Sequence, residues 1–170
     1  LSRRRSRVRV PSLPPLTNCL FAFICIQYYA YNVIENFNSI YLLILHLLMT
    51  ALFGVFSFRA LFAPDGMAKE FNMDKSSIYI IRVLGAFITP FFLIGIYLIF
   101  RPNGPEGAWA YYNLIFLLGL ILSIYDTTFY LKGIDAETGA KNSITDLIIG
   151  AFTLVASIIL IIGLSDRIYI

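Results

Sequence analysis

Four ionisable side chains stand within otherwise apolar stretches, and they are the residues whose types could do chemistry: His46, Arg59, Arg82 and Asp126. His46 is the single histidine of the chain. One imidazole cannot build a zinc site, and positions 42, 43, 49 and 50 supply no Cys, Asp or Glu at helical spacing to help it. Alone it could serve as the axial ligand of a haem or a chlorophyll-type pigment, which asks for only one imidazole. The other reading is a histidine hydrogen-bonded to a neighbouring helix. Arg82 and Asp126 fall at similar depth in consecutive apolar segments. A charge at that level costs several kcal/mol unless paired or hydrated, so an Arg82–Asp126 ion pair, joined by Arg59, is the expected arrangement. The functional alternative for these three is a proton or ion relay, or an anchor for an anionic headgroup.

Chemistry of the soluble-enzyme kind has no foothold. There is no G-x-S-x-G, H-E-x-x-H, Walker loop or C-x-x-C, and no carboxylates are paired at helical spacing within an apolar segment. Cys19 and Cys25, six residues apart in an apolar stretch, form neither a zinc spacing nor a disulfide framework.

The elements that must position these residues are read from hydropathy. The chain has 170 residues, of which 59% are hydrophobic, 16% aromatic and 14% charged, and its mean hydropathy is +0.79. A soluble core of this size could not hide apolar runs of such length, so lipid must cover them. The fold class is therefore all-α: a polytopic transmembrane helix bundle of four spans plus an N-terminal fifth. Residues 1–17 form a basic tail rich in Pro and Ser, and residues 18–170 a single helical domain. The spans fall at about 18–34, 40–62, 78–100, 108–131 and 145–164. The first is the least apolar, and an interfacial helix is its alternative. A span of 23 residues reaches about 34 Å, enough to cross a hydrocarbon layer of ~30 Å with some tilt.

Connector chemistry supports these boundaries. Pro64-Asp65-Gly66 breaks the second segment, Ser76-Ser77 offers cap material for the third, and Thr145 or Asp146 can cap the fifth. Pro90 predicts a kink in the third. The turn sequence from Arg101 to Gly107 forces its flanking helices antiparallel. Trp109, Tyr111 and Tyr112 read as an interfacial belt at one end of the fourth segment, Tyr125 and Tyr130 at the other. Small residues at helical spacing in every later span read as packing surfaces, with no strict G-x-x-x-G.

Basic residues set the expected orientation. With the N-terminus inside, the tail and the 63–77 and 132–144 loops carry Lys and Arg on the cytoplasmic-type face, and only Arg101 and Arg167 lie opposite. The arginines of the tail abut a membrane segment, where they set topology or touch anionic headgroups, so no nucleic-acid partner is expected.

The stretch from about Tyr41 to Leu164 resembles the DoxX-like group of small four-helix membrane proteins. The resemblance is carried by Leu61-Phe62-Ala63-Pro64 after one helix and Ile81-Arg82-Val83-Leu84-Gly85 opening the next. It implies a compact four-helix bundle, in some cases an accessory part of a membrane redox assembly. It carries over no functional residue, and the first segment and arginine tail depart from it. The sequence thus points to a small non-catalytic structural or accessory subunit of a larger integral membrane complex, of redox or photosynthetic type among others. Its partners would be membrane lipids and other membrane subunits, and it would act through helix packing and contact with bound lipid or pigment. The alternatives are a small transporter or channel using Arg82 and Asp126, and a haem- or pigment-binding protein built on His46.

Overall fold

The computed structural model describes residues 27, 31–131, 134 and 144–170. The basic tail, most of the 18–34 segment with both cysteines, and the loop holding Lys132 and Lys141 lie outside the described residues. Residues Leu1–Asn32 and Val33–Ile170 are separate compact units. Of the first, Gln27 and Tyr31 are helical and exposed. The second holds four long helices, α1 (Ile40–Phe62), α3 (Ile78–Phe100), α4 (Trp109–Tyr130) and α5 (Ile144–Gly163), with two short ones, α2 (Pro64–Glu70) and α6 (Ser165–Ile168). All four long helices are long and apolar enough to cross a membrane. At most 33% of any span's apolar stretch is buried within the molecule, so most of each helix surface faces outward, as a bundle solvated by lipid requires.

The helices pack as two tight pairs, α1 with α3 and α4 with α5, and α1 also lies along α5. Contacts between α3 and α4 are sparse, although they are consecutive. Backbone approach explains the pairing. At Gly85 a Cβ would stand 2.7 Å from the Cβ of Ala60, and at Gly119 it would stand 2.8 Å from the Leu154 backbone nitrogen. Without side chains there, the backbones close in and dispersion contacts accumulate, which is how helices associate in lipid. The buried stripe of α1, Leu43, His46, Met49, Thr50, Phe53, Ser57 and Ala60, repeats at the helical period.

Two ends of the bundle differ in construction. At the elbow end, the helix break expected at Pro64-Asp65-Gly66 falls at Ala63, and Pro64 then starts the short helix α2. Proline suits the first helical position, where its missing N–H would have had no partner. Asn72 at φ 56 ends α2, and Met73 N–H donates to Ala68 O at 2.7 Å in a Schellman closure. Met67 and Ala68 then pack on Ala60 and Ile81. A 3-10 turn at Lys75–Ser77 leads into α3, and no Ser77 side-chain cap forms. The helix α3 runs through Pro90, while the Thr89 hydroxyl donates to Gly85 O at 2.7 Å.

At the cap end, three segments are stitched together. Residues 31–36 are helical, and Asn38 at φ 58 reverses the chain so that the Ser39 hydroxyl accepts from Tyr41 N–H at the start of α1. Asn36 donates to Pro102 O at 2.8 Å. Asn38 donates to Gly163 O at 3.1 Å and Asp166 at 2.7 Å, and accepts from Arg167 at 3.1 Å. The 101–107 turn places Gly104 at φ 54 and Gly107 at φ 69, conformations a Cβ disfavours. Gly107 N–H donates to Arg167 O at 3.0 Å.

Candidate functional site

The polar centre of the described bundle is built around His46. Its ring is 1% exposed and lies where α1, α3 and α4 meet below the cap. Nε2 stands 3.0 Å from the Gly95 carbonyl oxygen. A carbonyl only accepts, so Nε2 carries the proton and donates. In the neutral ring Nδ1 is then the acceptor for the Tyr112 hydroxyl, 3.2 Å away. One imidazole thereby ties three helices.

Aromatic rings complete the enclosure. Phe37 lies 4.9 Å from the imidazole between ring centroids, Tyr112 5.9 Å and Tyr111 6.2 Å. Tyr111 and Tyr112 meet edge to face at 5.2 Å, a favoured geometry for aromatic pairs. The Tyr111 hydroxyl donates to Phe91 O at 3.2 Å, a second link from α4 to α3. Gly95 makes the convergence possible: a Cβ there would lie 2.5 Å from Thr50 Oγ1 and 2.7 Å from the Tyr111 hydroxyl.

This geometry corrects two expectations. Tyr111 and Tyr112 are buried core residues, not an interfacial belt. Belt composition and core composition are the same in a one-dimensional reading, and only the partner His46, 66 residues away from Tyr112, separates them. His46 does not fit an axial ligand, because both ring nitrogens are engaged and Phe37, Tyr111 and Tyr112 occupy the space a macrocycle would need. Ligation would require breaking the clamp.

The expected Arg82–Asp126 pair is also corrected, because the helices that carry these residues belong to different pairs. Arg82 is exposed at the second turn of α3 and has no side-chain hydrogen bond or ion pair among the described residues. Asp126 is half-buried and turns toward α5: a Cβ at Gly150 would stand 3.0 Å from its Oδ2. There it comes within electrostatic reach of Asp146, in the first turn of α5. The sequence held a signal for that approach, since the two acids lie at matching depth in consecutive antiparallel segments. Arg59 pairs instead with Glu70 at the end of α2. In this same elbow Gly85 approaches Ala60 and Leu61, and Ile81 packs on the α2 face.

No family model, no curated protein and no solved structure matches the chain. The functional reading therefore rests on the geometry of these residues.

Proposed function

We propose that the protein is a small non-catalytic structural or accessory subunit of a larger integral membrane complex. One observation carries the reading: the most buried polar cluster is spent on holding helices together, with each nitrogen of His46 committed to a different helix. Groups so engaged are poor acids, bases or ligands, but they fix a bundle in one arrangement. The outward faces support the same reading, since Phe58, Phe62, Phe87, Tyr97 and Phe100 are all exposed along α1 and α3. Aromatic side chains of this kind offer large contact area to neighbouring helices and lipid.

In this reading the elbow end faces the cytoplasmic side with the N-terminal tail. Arg59, Lys69, Lys75, Lys132 and Lys141 belong to that side, against Arg101 and Arg167 at the cap. Purification from the native membrane in mild detergent, followed by mass spectrometry and an absorption scan, tests the proposal. Stoichiometric membrane partners are the expected result, and a monomer or homo-oligomer without partners overturns it. A second reading, a small transporter, draws on Asp126, half-buried against α5 and within electrostatic reach of Asp146. Ion flux into proteoliposomes that disappears in Asp126→Asn would establish that reading in its place.

A further inference from the structure

The seam between α1 and α3 opens on its outward side into a groove lined by Ala51, Gly54, Val55, Phe58, Arg59 and Phe92. Ala51, Val55 and Phe58 are exposed, on the face of α1 opposite its buried stripe. The groove floor forms because Gly54 leaves room for the Phe92 ring, which a Cβ would meet at 2.7 Å. Everything lining it is apolar or glycine except Arg59, at the elbow end.

Arg82 borders the same seam. Arg82, Gly85, Thr89 and Phe92 follow at i, i+3, i+7 and i+10, one stripe of α3. Gly85 on that stripe touches Ala60 and Leu61, and Phe92 touches Gly54, so the stripe runs along α1. The antiparallel register that sets residue 85 beside 60 and 92 beside 54 puts Arg82 about one turn beyond Arg59, ~6 Å toward the elbow. Two arginines therefore belong to the elbow end of the apolar trough, Arg59 in its lining and Arg82 about a turn further along the seam. Glu70 neutralises one of them, through its contact with Arg59, and Arg82 keeps its charge unanswered among the described residues.

We propose that this groove seats an acyl chain of an anionic phospholipid, whose phosphate is held by Arg82 and Arg59. The match is one of charge and polarity together: the trough offers hydrocarbon contact along its length and a cationic mouth at the depth where a span meets the headgroups. Guanidinium binds phosphate oxygens through paired N–H donors, a geometry lysine cannot reproduce. A zwitterionic lipid brings its own cation to the same mouth and gains less. The inference is independent of whether the protein belongs to a larger complex, because the lipid is read on the isolated chain.

The test places the full chain in nanodiscs of equal phosphatidylcholine and phosphatidylglycerol, then reads by native mass spectrometry which lipids stay bound on release. The parent chain is expected to retain phosphatidylglycerol preferentially. Arg82→Gln, a change at an exposed side chain without a partner to lose, should reduce that preference about fivefold, the worth of one basic side chain near an anionic surface. Glu70→Gln should raise it by freeing Arg59, and Val55→Trp should expel the lipid by filling the groove. Equal retention of the two lipids by the parent chain would overturn the proposal. So would a preference that survives both Arg82→Gln and Val55→Trp, which would assign the lipid to another surface.

Discussion

At the scale of single residues, His46 shows how a bundle in lipid obtains specificity from one side chain. Water is absent as a competing partner, so a buried imidazole must find both of its hydrogen bonds within the protein. Interhelical hydrogen bonds in membranes contribute modestly, and a double-mutant cycle between His46→Ala and Tyr112→Phe should return a coupling of about 0.6 kcal/mol, with about 1.7 as an upper bound. Thermal unfolding in a fixed detergent provides the four stabilities. Additive losses would show that the Nδ1 contact contributes nothing. Gly66 offers the opposite kind of residue prediction. It lies inside α2 without a positive φ, and a Cβ there meets nothing within 4 Å. Gly66→Ala should therefore stabilise the protein by about 0.5 to 1 kcal/mol through helix propensity and a less flexible unfolded chain.

At the scale of elements, glycines separate two kinds of close packing. At Gly54 the neighbour is the end of a Phe92 ring, which can rotate away; at Gly119 it is the backbone of Leu154, which cannot. Gly119→Ala should accordingly lower stability by about 1 to 3 kcal/mol, and Gly54→Ala by clearly less under the same unfolding assay. Equal losses would mean that Phe92 is as fixed as backbone. Span boundaries were legible in the sequence because lipid imposes a length on every crossing: Ile40–Phe62 and Ile78–Phe100 match the expected limits, and α4 and α5 fall within a residue or so of theirs. The short helix α2 was not legible, since Pro64-Asp65-Gly66 reads only as a helix break until Met67 and Ala68 are seen to pack on Ile81. Lateral order was hidden for a deeper reason. Hydropathy records depth along the membrane normal, and Arg82 and Asp126 share a depth. Which helix stands beside which is decided by Gly85 against Ala60 and Gly119 against Leu154, contacts that have no one-dimensional signature.

At the scale of the whole molecule, the prediction is sidedness. With Cys19 and Cys25 replaced by Ser, single cysteines at the exposed positions Asp65 and Asn103 should label from opposite faces of sealed vesicles with a membrane-impermeant maleimide. The elbow position should react from the cytoplasmic side, following the distribution of basic residues. Labelling of both from one face would remove the two-sided arrangement of α1 and α3.

The distribution of the stitches has a mechanical meaning. Among the described residues, hydrogen bonds that join the α1–α3 pair and its leading segment to the α4–α5 pair, its trailing segment and the 101–107 turn gather toward the cap: Asn36 to Pro102, Asn38 to Gly163 and Asp166, Arg167 to Asn38, Tyr112 to His46, Tyr111 to Phe91. These bonds act as a rivet near one end of the pairs: a force that parts them loads Asn36, Asn38 and the His46–Tyr112 contact together, with the helices as its lever arm.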